Sequence, residues 1–255
     1  PLLHDWLQTP ALDESQERAL KASRWFSDRH QFPEALRYAL VSGSLEESVR
    51  IASEGSEALL IGQDTASLLR LRRSLPSGLL EKSARLKIVY GWVHSIGGQF
   101  RQARMLINDL DNGERPELAG RVDALRAFIL RGEGSVDEAL MVADRALQAE
   151  ELSTQGQLVT QLVRSSALCA AGKFGDAREA NRIAARLARE AGDAGSEVLA
   201  VYAHARIELG KGSLKHAEQL LRTGLDTAMN ESSRPARVGE TRLQLNLVMV
   251  LWHQG

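Results

Sequence analysis

Apolar positions in this chain recur at helical spacing over most of its length. Leu86, Tyr90, Val93 and Ile96 line one face of the segment from Ser83 to Gly97. The same rhythm joins Val122, Leu125 and Ile129, then Leu158, Leu162 and Leu168, then Leu199, Tyr202 and Ile207. Each segment ends in a turn of one design: a glycine, a large apolar residue two positions on, and an alanine three after that. The copies are Gly98-x-Phe100-x-x-Ala103, Gly134-x-Val136-x-x-Ala139, Gly172-x-Phe174-x-x-Ala177 and Gly212-x-Leu214-x-x-Ala217, with glycines 36, 38 and 40 residues apart. Glycine supplies the positive φ that ends a first helix. The large residue opens a second helix and plugs the seam, and the alanine lets the two helices approach closely. A period of this size predicts stacked helix pairs.

Weaker copies precede these. His30-Gln31-Phe32-Pro33-Glu34-Ala35 has histidine at the glycine position, and Pro33 suits a first helical turn. Gly43-Ser44-Leu45-Glu46-Glu47 is a further turn, and both it and Ser135-x-x-Glu138 carry capping-box residues. Linkers are expected around 74–77, 111–116, 191–196 and 230–235. Residues Arg242 to Trp252 resemble another first helix, with Gly255 at its turn position. The last unit is therefore expected to be truncated and the native protein to continue. No strand pattern competes, so the expected fold is all-α, a right-handed superhelix of antiparallel helix pairs. Such stacks present long curved surfaces suited to binding.

Composition narrows the function classes. The 255 residues are 44% hydrophobic and 25% charged, and 32 basic against 33 acidic residues leave a formal net charge of −1. Direct nucleic-acid binding would call for a basic excess or stripe. The single cysteine, Cys169, excludes an internal disulfide and fits a reducing, cytoplasmic setting. The most apolar stretch, Leu245 to Trp252, falls well short of the roughly 20 residues of a membrane span, and the opening PLLHDWLQTP has no signal-peptide character. No phosphate-binding glycine loop, metal-ligand spacing or nucleophile–base pair stands out, so the expectation is a non-enzyme that holds no cofactor of its own.

The turn element resembles the tetratricopeptide repeat. A small residue stands seven positions before each turn glycine: Gly91, Ala127, Ser165 and Ala205. The periods exceed the usual ~34 residues, and the proline that often ends such a unit is missing. A further resemblance is carried by Lys21, Ala22, Trp25, Phe26, Phe32, Glu34, Ala35, Leu36, Tyr38, Ala39, Leu40, Gly43 and Ser44. These residues are similar to the opening of the helical-repeat region in MalT-like, LuxR-type ATP-dependent transcriptional regulators. That likeness covers roughly residues 1–60, with residues 1–10 resembling the close of a winged-helix module and 11–255 the truncated repeat domain. It implies ATP binding in an N-terminal domain and DNA binding in a C-terminal one, both outside this sequence. It also implies self-association of the full-length protein, and a repeat region that senses a small-molecule inducer or a regulatory protein. A free-standing repeat scaffold for protein–protein interaction is the alternative.

If first helices line a concave groove, its inner positions are Arg85, Trp92 and Ser95, then Arg121, Phe128 and Arg131, then Tyr202 and Arg206. Ser166, Cys169, Arg242 and Trp252 occupy matching places. Arginine forks beside aromatic faces suit a small polar ligand or a peptide. The competing reading makes the aromatics inter-repeat core and leaves the arginines on a solvated face. His204 and His216 face each other across one helix pair only by chance pairing on this reading, and Trp6, Trp25 and Trp252 are expected to pack.

Overall fold

The computed structural model describes residues 10–61, 65–76, 78–110, 116–230 and 234–254. Among these are thirteen α-helices, one short 3-10 turn and no strand. The expected winged-helix tail, residues 1–10, lies outside the described residues except for Pro10. The chain divides into two compact units, Pro1–Val93 and His94–Gly255.

The first unit holds α1 (Pro10–Ser27), α2 (Phe32–Val41), α3 (Leu45–Ile61), α4 (Thr65–Ser74) and most of α5 (Ala84–Ile96). Helices α1 to α4 each pack on the next. The histidine-for-glycine copy uses the expected geometry: His30 adopts φ 56°, alone among described non-glycine residues. Its turn closes through Gln31 N–H donating to the Phe26 carbonyl at 3.0 Å, and Ser23 Oγ donates across the pair to the Ala35 carbonyl at 3.0 Å. Tyr90, 1% exposed, ties this unit together. Its hydroxyl lies 3.3 Å from Ser56 Oγ and 3.5 Å from the Leu68 carbonyl, and the Arg72 guanidinium sits 5.3 Å from its ring centroid.

The second unit continues with α6 (Phe100–Ile107), the 3-10 turn Asn108–Leu110, α7 (Pro116–Glu133), α8 (Val136–Leu147) and α9 (Thr154–Ala170). It ends with α10 (Phe174–Glu190), α11 (Ala194–Gly210), α12 (Leu214–Asn230) and α13 (Arg234–Gln254). From α7 to α13 each helix packs on the next, and the first helices α7, α9, α11 and α13 also touch in that order. The four signature glycines take φ of 73°, 91°, 73° and 78°. In each turn the following N–H reaches back five residues, as when Lys173 donates to the Leu168 carbonyl at 2.9 Å. Phe100, Val136, Phe174 and Leu214 begin their helices as expected. The five alanines that follow the turns, Ala35, Ala103, Ala139, Ala177 and Ala217, are fully buried. Ser165 Oγ donates to the Ala177 carbonyl at 2.9 Å, the counterpart of the Ser23–Ala35 bond.

The expected capping box at Ser135 does not form. Ser135 stands at the N-cap with ψ 71° and makes no side-chain cap bond. At Ser153 ψ is 158°, and Ser153 Oγ accepts from Gly156 N–H at 3.1 Å. The tight glycine turn spends the Ser135 N–H on the Leu130 carbonyl, so that donor is not left for Glu138 to accept from. Ser44 does cap as expected, accepting from Glu47 N–H at 3.2 Å.

A size match joins neighbouring helices within each unit. Phe100 lies against Gly132 in the last turn of α7, Phe174 against Gly210 in the last turn of α11, and Phe32 against Gly55 in α3. A Cβ built on Gly210 would meet the Phe174 ring at 2.7 Å, and one on Gly55 would meet Phe32 at 2.7 Å. Arg104 pairs with Glu133 beside the first of these seams. At the far end, α13 buries Leu243 and Val250 but exposes Leu245, Val248, Met249 and Trp252, the last at 83%. Trp252 thus does not pack as expected. Among the described residues no helix is long and apolar enough to cross a membrane.

Gly132→Ala should destabilise the protein by about 2 kcal/mol, since the new methyl overpacks a filled seam. Trimming the ring with Phe100→Leu should recover at least about 1 kcal/mol of that in a double-mutant cycle followed by urea denaturation. Equal costs of Gly132→Ala in both backgrounds would show that the seam does not rest on this contact.

Candidate functional site

Arg85 and Trp92 fall in the first unit, and the other six groove residues fall in the second. Arg85 is committed to structure: its Nε and Nη2 donate to the two carboxylate oxygens of Glu57 at 3.1 and 3.0 Å. Trp92 and Arg121 are half-buried. Ser95 is 2% exposed, and its hydroxyl has no hydrogen-bond partner, so it faces the interior and not a groove. Phe128, half-buried, packs against the cluster formed by Ala127, Leu130, Ala139, Val142 and Ala143. Tyr202 likewise packs against the Val198, Ala205 and Leu221 cluster, with part of its surface open.

Arg131 and Arg206 stand apart. Arg131 lies three residues before the turn glycine of α7, and Cys169 holds the same position in α9, which packs alongside. The Cys169 thiol donates to the Arg206 carbonyl in α11 at 3.8 Å. The Arg206 guanidinium lies 5.8 Å from the Tyr202 ring centroid. The last turns of three neighbouring first helices therefore bring Arg131, Cys169 and Arg206 together. Arg131 Nε is buried and has no hydrogen-bond partner. Burial, followed by the repulsion of Arg206, holds the Arg131 pKa below its ordinary value. Burial also pushes the Cys169 thiol up, against the pull of both arginines, so it stays protonated and supplies no counter-charge. Among the described residues no carboxylate pairs with either arginine.

A second polar cluster lies on the other side of the same helix. Glu208, 2% exposed, accepts from Lys211 Nζ at 3.2 Å and sits 3.3 Å from His216 Nδ1. His204 Nε2 is 3.7 Å from Glu208, too far for a hydrogen bond, and is buried without a partner. The His204 and His216 rings do face each other, edge to face at 5.8 Å. Burial raises the Glu208 carboxyl, but hydrogen bonds from Lys211 and His216 outweigh it and leave the pKa lowered. Burial, then the charge of Arg178, lowers His204. Among the described residues no group of three or more His, Cys, Asp or Glu is placed to hold a metal ion.

A shallow pocket of about 160 Å³ lies in the first unit, lined by residues that include Leu40, Leu45, Pro76, Leu79 and Lys82. None of the sequence-predicted groove residues lines it. No protein-family model matches the chain, and no curated protein matches it.

Two outcomes follow from this chemistry. Arg131→Met should raise stability by roughly 1 kcal/mol in denaturant titrations without ligand, because it removes a partly desolvated cation with a like-charged neighbour. A loss of stability would mean that Arg131 has a structural counter-charge. The second concerns acid. Above its ordinary value of 4.5, Glu208 contributes in full, and the contribution is lost as pH falls through its lowered folded value. His204 acts in the same direction from 6.5 downward, since the unfolded chain takes up a proton that the folded one resists. Glu208→Gln should therefore cost about 1–3 kcal/mol at pH 7 and flatten the acid limb of a stability–pH curve. An unchanged acid limb would remove Glu208 from the account.

Proposed function

We propose that this chain is a binding and regulatory module built as a tetratricopeptide-like superhelix of antiparallel helix pairs. In this reading it is the sensing segment of a LuxR-type, MalT-like transcriptional regulator. A small inducer or a regulatory protein enters the groove and controls flanking domains that bind ATP and DNA and self-associate, in the cytoplasm. The observation that carries the binding reading is the pair Arg131 and Arg206, on the first helices that flank α9, with no acidic partner among the described residues. The family reading is supported by Trp25, Phe26, Phe32, Glu34, Ala35, Ala39 and Leu40, together with the turn at His30.

The alternative, a free-standing scaffold, is favoured by the α13 stripe of Leu245, Val248, Met249 and Trp252. These residues follow helical spacing and form an apolar face of the kind that marks protein contacts.

The test is a thermal-shift screen of the 255-residue protein against sugars, amino acids, carboxylic acids and nucleotides. At least one compound should raise the melting temperature, and Phe128→Ala combined with Arg131→Ala should lose that response. A screen with no stabilising compound would sink the small-ligand sensor and leave the scaffold.

A further inference from the structure

We infer that Arg131 and Arg206, flanked by Tyr202, form a subsite for the oxyanion of a ligand, a carboxylate or a phosphate group. This deepens the binding reading above and rests on it. The first support is contrast within the molecule. Arg50 pairs with Glu47 at 2.7 Å and Glu54 at 2.6 Å, Arg145 with Asp123 at 2.6 Å, and Arg164 with Asp144 at 2.6 Å. Arg182 and Arg222 bind Glu179 and Glu218 in the same manner. Arg131 and Arg206 have no such acid among the described residues, and neither do exposed arginines such as Arg29 and Arg70; what sets the pair apart is the buried Arg131 Nε, which has no hydrogen-bond partner.

The acids nearest in sequence are already taken, Glu133 by Arg104 and Glu208 by Lys211 and His216. Cys169, the polar side chain between the two arginines, remains neutral. A guanidinium is the side chain best matched to a planar oxyanion, because its Nε and Nη donors form a fixed fork. At Arg131 that Nε donor is the one buried with nothing to bind. A neutral sugar hydroxyl would leave both charges uncompensated, and a metal cation would be repelled. An oxyanion satisfies the orphaned donor and both charges together. Tyr202, under the Arg206 guanidinium, gives the rest of such a ligand a flat face.

The probes are sodium succinate and inorganic phosphate, each titrated into the 15N-labelled protein and compared with sodium chloride at equal ionic strength. The readout is the side-chain Nε–Hε signals of the arginines. Signals of Arg131 and Arg206 should move saturably with at least one oxyanion, with an apparent Kd on the order of a few millimolar, and not with chloride. Saturation by succinate alone assigns the site to carboxylates, and by phosphate alone to phosphate groups. Arg131→Gln and Arg206→Gln should each weaken binding about tenfold, while Arg131→Lys, which keeps charge but loses Nε, should recover only part of it. Methyl fingerprint spectra establish that each variant folds, and the wild-type titration decides the matter if one does not. Absence of saturable shifts, or equal affinity in the Arg131→Gln/Arg206→Gln double variant, overturns the subsite. If the stabilising compounds of the screen are all neutral and bind that double variant as well as wild type, the groove stands and the oxyanion assignment falls. If the oxyanions saturate but the screen yields no neutral compound, the subsite stands by itself.

Discussion

The second unit depends on a phenylalanine ring resting where the next first helix has no Cβ. Phe100 occupies that place against Gly132, and Phe174 against Gly210. Glycine inside a helix is unfavourable by roughly 1 kcal/mol relative to alanine, so its presence in a last turn calls for a compensating contact. The ring supplies it by filling the space a methyl would take. Ala103 and Ala177, three residues after the two rings, have no exposed surface. Between the two glycine seams, Val136 and Ala170 hold the equivalent positions. A smaller plug there accompanies a residue one methyl larger, which is the same constraint met with different volumes.

That seam also places the charges. Arg131 immediately precedes Gly132, and Arg206 lies one helical turn before Gly210. The turns gripped by the two rings are thus the turns that present the two arginines. Phe100 and Phe174 are positioning residues for Arg131 and Arg206 in this sense: the backbone beneath each guanidinium is clamped from behind. The buried Glu208 adds a second hold on α11, through Lys211 in the turn and His216 in α12.

Much of this frame was legible in the sequence because it is written in local, repeated signals. Glycine, plug and alanine specify where helices end and begin within a few residues, and histidine at position 30 follows the glycine conformation because the surrounding bonds demand it. The capping box at Ser135 was misleading for a local reason too: the preceding turn already uses the Ser135 N–H that the motif assigns to Glu138. The charge pattern was not legible. Arg145 finds Asp123 across 22 residues, Arg85 finds Glu57 across 28, and Arg164 finds Asp144 across 20. No spacing rule separates these from Arg131 or Arg206, which find no acid. The pairing of His204 with His216 and the interior placement of Ser95 are likewise products of helix-to-helix register.

Arg131, half-buried and unpaired on so well clamped a frame, contributes something other than stability, while Arg206 beside it stays exposed. A desolvated guanidinium beside a like charge works against folding, and a repeat with closely packed helix pairs can tolerate that penalty where a looser one would rearrange to find a counter-ion. The same clamping denies Arg131 the freedom to reach a distant carboxylate, so the orphaned Nε persists in the folded state. A donor held in place and left unsatisfied is preorganised: a ligand that meets it loses little conformational entropy on the protein side and gains a charge-assisted bond in a partly desolvated site. The glycine seams that build the repeats and the unpaired arginines are, on this argument, two parts of one arrangement.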